Sequence, residues 1–243
     1  MIDNCDAGGQ SERSSDASKL TLCSPLKPAQ RISLVTHLWS DEEIHEFCLH
    51  DAWETGQEDL PSAYRYCPIS LQESLGCVVV WFHDEWQEPA YQVYSSLLFG
   101  LPLAVTCFNR FSRLVEALSR RLCRVLVSLY FDDATITDLK SSKGSGQWAV
   151  NQVCTMIGSL FAADKKQPMQ NPGTVLGLTH DLGDIKRTGF VKFWARARLH
   201  DKVKDIISNA RASGKFTRGT ATKLYGIATF WNKASTAEWA MVV

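Results

Sequence analysis

Apolar positions along the chain fall into blocks whose period switches between two and about 3.6, which predicts a sheet with helices inserted between its strands. Residues 77–82 (Cys-Val-Val-Val-Trp-Phe) are β-branched and aromatic and read as a strand. A polar turn over 83–89 and a return strand over 91–97 follow. Leu97-Leu98-Phe99-Gly100-Leu101-Pro102 breaks the pattern and opens a helix over 103–122, with Val105, Phe108, Val115, Leu118 and Leu122 on a helical period. Val125, Leu126, Val127 and Leu129 then run into Asp132-Asp133, and a second apolar run leaves over 134–137, so the spacing predicts a β-hairpin with the Asp pair at its tip. Beyond a Lys-Ser-Gly loop at 140–146 comes a helix over 148–161 (Val150, Val153, Ile157, Leu160), which Lys165-Lys166-Gln167-Pro168 ends. A short strand follows over 175–178, and two basic amphipathic helices over 190–212 and 217–234 are joined at Gly214. At the front, residues 1 to about 30 carry Ser, Gly and Asp with no apolar period and are expected to be disordered. Residues 39–55 suggest an acidic helix with a Ser40/Glu43 capping box and a thin apolar face (Ile44, Phe47, Cys48). The class is α+β: an antiparallel sheet domain with packed helices, followed by a helical appendage.

At 243 residues the chain can bury a real core as one large domain or two small ones. Its 26 basic and 26 acidic residues cancel, so net charge excludes nothing, but the distribution is uneven. From 39 to 59 every charged side chain is acidic, whereas from 186 to 233 only Asp201 and Asp205 oppose a series of Lys and Arg. That basic stretch is either a surface for a polyanion or a solvated helix face. The 8 cysteines are scattered without a Cys-x-x-Cys pair, and no signal peptide is evident. They are expected to be free buried thiols of an intracellular, non-secreted protein in the cytoplasm or nucleus. No apolar run reaches membrane-spanning length, and no His/Cys cluster has zinc-ligand spacing.

Asp132-Asp133 carries the chemistry. Adjacent carboxylates repel, and a hard divalent cation that prefers oxygen ligands is what relieves them. The plain alternative is an ordinary acidic turn. What separates the two is the order of motifs upstream and downstream. Asp59, with Tyr64 five positions on, resembles the first metal-binding motif of reverse transcriptases. Leu97-Leu98-Phe99-Gly100 resembles that family's Leu-Pro-x-Gly, with Leu98 in place of proline. Tyr130-Phe131-Asp132-Asp133 matches Tyr-x-Asp-Asp. Lys165 lies near the family's later lysine, and Leu176-Gly177 resembles its Leu-Gly primer-grip entrance. Five motifs in order over residues 58–182 are similar to the polymerase palm of a retroelement reverse transcriptase.

The resemblance implies an RNA-directed DNA polymerase domain, complete or degenerate, that adds deoxynucleoside triphosphates to a primer on an RNA or DNA template. The alternative is an inactive nucleic-acid-binding remnant. It implies partial fingers and palm over 31–185 and a thumb- or connection-like segment over 186–243, the whole a fragment of a longer polymerase. Asp59, Asp132 and Asp133 would converge at one sheet edge to hold two Mg²⁺ ions (Mn²⁺ as an alternative), Asp59 and Asp132 as the principal pair and Asp133 as a third, more peripheral carboxylate, with the Leu60 carbonyl adding an oxygen. Tyr64, Phe99 and Gly100 would meet the nucleotide, Tyr64 crowding a 2′-hydroxyl. Tyr64 is otherwise a core residue and Gly100 a helix-entry glycine. Lys165 would be the general acid for pyrophosphate, a role its neighbour Lys166 fills equally well on sequence. Arg196, Arg198, Lys202 and Lys204 would contact phosphates. The basic strand that grips the triphosphate in the family is missing ahead of Asp59, where only Lys27 and Arg31 are basic candidates.

Overall fold

The computed structural model describes residue 20 and residues 22–188 and 190–235. Most of the stretch expected to be disordered lies outside these residues. Its end does not follow that expectation, because Pro28 near the start of a helix presets the backbone and α1 runs over Lys27–Thr36. Helix α2 (Asp41–His50) begins at the predicted capping box, with Ser40 accepting from the Glu43 amide and Glu43 reaching back. Such a cap is worth about 1 kcal/mol. The helix stops five residues short of the predicted end. Asp51 turns extended and residues 53–59 form strand β1 (Trp53–Asp59), with Trp53 and Thr55 buried on one of its faces. Gly56 leaves room at the middle of β1 for Met169 and Gln147, since a Cβ there would stand 2.7 Å from Met169 Sδ and displace that side chain.

A short helix, α3 (Leu71–Ser74), precedes the hairpin β2 (Val78–His83) and β3 (Glu88–Val93). The return strand starts three residues earlier than predicted, because Gln87 takes a positive φ (51°) and tightens the turn. Helix α4 (Pro102–Cys123) leads into β4 (Leu126–Tyr130) and β5 (Asp133–Leu139), the predicted Asp-Asp hairpin. Helix α5 (Ser145–Met156) starts inside the expected loop. It ends at Met156 and is closed by Gly158, where the Ser159 amide bonds Cys154 O and the Gly158 amide bonds Thr155 O, a Schellman closure earlier than residue 161.

Strands β4, β5 and β1 pair antiparallel, and a fourth strand, β6 (Gln167–Gln170), joins β1 in a sheet ordered β4-β5-β1-β6. The sequence reading treated these residues as a terminator. Pro168 is tolerated because β6 is an edge strand that need not donate outward. The expected single strand at 175–178 is a hairpin turn: Leu176 and Gly177 have φ of 46° and 82° between β7 (Gly173–Val175) and β8 (Leu178–Asp181). After α6 (Ile185–Thr188), β9 (Lys192–Ala195) pairs with β8, so helix α7 (Ala197–Ser213) begins only after it. Alternation of buried Val191 and Phe193 with exposed Lys192 and Trp194 is the strand period that the helical reading of 190–212 overlooked. Gly214, at φ 61°, separates α7 from α8 (Arg218–Ser235) as predicted.

Helices α4 and α5 cover one face of the four-stranded sheet through Val115, Val127, Ile136, Val150 and Cys154. On the other face, Trp53 packs at the far end of β1 with α1 and the β7-β8-β9 sheet. The outer edge of β4 is closed by side chains: Arg31 and Arg120 both donate to Val127 O, and Glu116 accepts the Leu129 amide at 3.3 Å. An edge strand satisfied in this way offers no template for further pairing.

Candidate active site

Strand β1 ends at Asp59 and β5 begins at Asp133, and the antiparallel register pairs these two residues directly, Asp59 with Asp133. Residues opposite one another share a sheet face, so both carboxylates leave the same side, the one away from α4 and α5. Asp132 occupies the two-residue turn. Its carbonyl accepts the Leu60 amide at 3.0 Å, which ties the turn to the chain just beyond Asp59. Phe131, the other turn residue, has φ 52°, a left-handed conformation unusual for an aromatic residue. Ser112 Oγ bonds its carbonyl at 2.7 Å, and its side chain packs with Leu60, Ala63 and Phe108. The apolar cluster thus over-determines a turn that few side chains adopt unaided.

The gathering of acids is legible in their electrostatics. Burial pushes the Asp132 carboxyl above its ordinary range and Asp59 adds to the rise. Asp133 is raised by burial and then by Asp132 and Asp59 together. Lys165 Nζ lies 2.7 Å from Asp59 Oδ1 and opposes both rises, joined at Asp133 by Arg196. That hydrogen bond and charge hold the Lys165 ammonium protonated above the usual lysine range. Three carboxylates in one another's field are a hard-oxygen donor set suited to Mg²⁺ or Mn²⁺. They do not form a closed cage as they stand: among the described residues no group of three His, Cys, Asp or Glu is arranged to hold a metal ion. The cation on Asp59 is instead the Lys165 ammonium.

The structure separates the two adjacent lysines. Lys166 turns to the opposite face of β1, where its Nζ is 3.6 Å from Oε1 of Glu58, a carboxylate only 2% exposed. Burial raises the Glu58 carboxyl and Lys166 opposes the rise. Lys165 alone faces Asp59. Leu60 is buried in the cluster under the site, and its amide rather than its carbonyl makes the described bond. Tyr64 is half-buried, its ring edge-on to Phe99 (4.9 Å) and Phe108 (5.5 Å), and it is close enough to Asp132 to feel its charge. Tyr64 therefore belongs both to the core and to the rim of the site. The φ of 91° at Gly100 is a sufficient reason for a glycine there.

Arg196 sits at the N-cap of α7 within electrostatic reach of Asp133, while Arg198, Lys202 and Lys204 are exposed along the helix. At about 100° per residue, Arg198 and Lys202 share one side, and Lys204 shares another with Arg211. The four predicted cations are thus not one stripe. Two participants escaped the sequence reading. Arg65 lies over the Tyr94 ring at 3.9 Å and near Phe99 at 5.8 Å, and its Tyr-Arg-Tyr context was the available signal. Glu58 was read only as one more acid in an acidic stretch, although an apolar residue would be the ordinary choice in a central strand.

The solved structures similar to this chain include two of one kind. Both are foamy viral protease-reverse transcriptases, one in complex with double-stranded DNA and one with an RNA/DNA hybrid. Each is 17% identical and covers 73% of this chain, with TM-scores of 0.52 and 0.53. The fold is similar to that of a reverse transcriptase. The chain spans 27% and 21% of those longer proteins. No family model and no curated protein matches the sequence. Among the described residues no helix is long and apolar enough to cross a membrane.

Proposed function

We propose that the chain is the palm-centred part of a retroelement-type RNA-directed DNA polymerase, with partial fingers and palm over 31–185 and a thumb-like segment from 186, working on nucleic acid in the cytoplasm or nucleus. The observation that carries this reading is the direct Asp59–Asp133 pairing with Asp132 in the adjoining turn and Lys165 on Asp59. Asp59, Asp132 and Asp133 would hold two Mg²⁺ ions, which when bound activate the primer 3′-oxygen and neutralise the departing pyrophosphate. The chain's own groups do the rest. Asp59 and Asp133 orient the reacting end across one sheet face. Tyr64, backed by Phe99 and Phe108, bounds the sugar side and disfavours a 2′-hydroxyl. Lys165, held protonated, delivers its proton to the leaving group once Asp59 is otherwise engaged. The exposed cations of α7 contact phosphates without reading bases.

A second reading is favoured by one observation: the Lys165 ammonium already occupies Asp59 at 2.7 Å, as suits a remnant that binds nucleic acid without chemistry. Primer extension on an RNA template with Mg²⁺ separates the two. The polymerase reading expects incorporation that Asp132→Asn reduces by at least about 10²–10³, with template–primer binding retained. Binding without any incorporation by the wild type supports the remnant, and an Asp132→Asn variant as active as the wild type refutes the role given to the hairpin.

A further inference from the structure

Strand β6 is poorly anchored for an element that begins directly after the turn carrying Lys165 and Lys166. It is a four-residue edge strand containing Pro168, and its pairing with β1 is irregular, with the register shifting between Thr55 and Gln57. A one-residue slip of such a strand would carry each side chain to the other face of the sheet. Two ties lie beside the irregularity. Gln147, from α5 and almost fully buried, donates to Gln167 O at 2.9 Å and to Gln57 O at 3.4 Å, bridging the two strands. Glu58 points to the same face, buried, with Oε1 lacking a hydrogen-bond partner and the Lys166 ammonium 3.6 Å away. A carboxylate in that position is costly unless a cation is held to it, so the fold with Lys166 on Glu58 is strongly preferred to any register that parts them. The local backbone then decides the rest: Lys165 closes the 3-10 turn Ala163–Lys165 and Lys166 leaves it extended (φ −56°, ψ 126°), so with Lys166 held on one face of β1, Lys165 lies toward the other, where Asp59 projects.

We propose that the Glu58–Lys166 pair, steadied by Gln147, is a positioning device that sets the β6 register and thereby delivers the Lys165 ammonium to Asp59. Glu58 and Lys166 touch no substrate in this arrangement; they act through Lys165. The inference deepens the reading of Asp59 and Lys165 as site residues, yet its geometry does not require the chain to be active. A competing anchor exists on the other side of Lys165, where the Ala162 amide bonds Asp59 O at 2.8 Å. The experiment weighs one against the other.

The test is zero-length carbodiimide coupling on the full chain, read by mass spectrometry. The reagent activates a carboxylate and leaves as its urea when a neighbouring amine forms the amide, so it reports Lys165–Asp59 contact without catalysis. The Lys192–Asp184 pair, at 3.7 Å on another sheet, is the internal folding control. In Glu58→Leu/Lys166→Met, which replaces both partners by apolar groups, the Lys165–Asp59 product should fall at least fivefold while the control product is kept. The single variant Lys166→Arg, with Glu58 kept, should retain the wild-type yield. If the double variant loses the control product as well, Glu58→Gln, nearly the same shape without the charge, takes its place with the same expectation. A Lys165–Asp59 yield equal to that of the wild type, with the control intact, overturns the proposal and leaves the Ala162 anchor as sufficient. Absence of primer extension in the wild type would count against the polymerase reading but would leave this result standing.

Discussion

Replacing Asp133 by Asn should stabilise the metal-free protein. The cross-strand partners Asp59 and Asp133 face each other on one sheet surface, where directly opposed residues have Cβ atoms about 5 Å apart. At an effective dielectric constant of about 20, two like charges at that distance repel by about 3 kcal/mol. Asp133 is exposed as a residue although its carboxyl is partly desolvated, and Lys165 already compensates Asp59, so screening reduces the recoverable part to about 1 kcal/mol. For a chain of this size that is a rise in Tm of about 2–4 °C near neutral pH with chelator present. The sign with pH follows from the raised Asp133 carboxyl: its ionised form is disfavoured in the native state. The cost is therefore present in full above the folded value and disappears as the pH falls towards the ordinary carboxylate value of about 3.9. The gain in Asp133→Asn should vanish in acid along with it. Added Mg²⁺ should reverse the order, since it stabilises only a chain that binds it. Thermal melts of both proteins across pH, with chelator and with Mg²⁺, provide the measurement. An unchanged or lower Tm for the variant in chelator at neutral pH would show that the carboxylates do not oppose each other as the register implies.

Two further outcomes are expected. His180 is 1% exposed, bonded to Thr55 Oγ1 at 2.9 Å, and burial lowers its pKa from 6.5 to about 4. The unfolded chain takes up a proton that the native state refuses, so stability should be lost as the pH falls from about 6.5 towards 4, by up to about 3 kcal/mol, as measured by denaturant titration. A flat stability curve over that interval would mean that His180 is not neutral and buried. For nucleic acid, Arg198→Ala/Lys202→Ala, which clears one side of α7, should reduce the steepness of the salt dependence of duplex binding by about 1–2 in log–log slope. An unchanged slope would remove that side of the helix from the interface.

Much of the sheet domain was legible because its signals are local. The Ser40/Glu43 box, the apolar period of α4 and the two apolar runs around Asp132-Asp133 each lie within one element, where propensity and side-chain alternation act without help. The errors came where neighbours overrode local pattern. β6 reads as a terminator because Pro168 interrupts it, and only its place at a sheet edge makes that proline harmless. β9 reads as the start of a helix because its four residues precede a long helical period, and only pairing with β8 makes them a strand.

The same division holds at the site. Sequence order and residue type sufficed to nominate Asp59, Asp132, Asp133 and Lys165, since hard-cation chemistry and proton transfer need those groups and the motifs are short. Which of two consecutive lysines faces the acids was beyond it, because residue type and spacing do not fix how the short turn that carries them sits against β1. The tertiary structure decides it, through a buried Glu58 that holds Lys166 and leaves Lys165 to Asp59. Likewise the sequence determined that the C-terminal part is basic and helical, but its four nominated cations are divided by helix geometry and by β9, which sets Arg196 near Asp133 and the others along α7. Composition and period are properties of one segment, whereas register and face are properties of a pair of segments, and only the packed chain contains the pair.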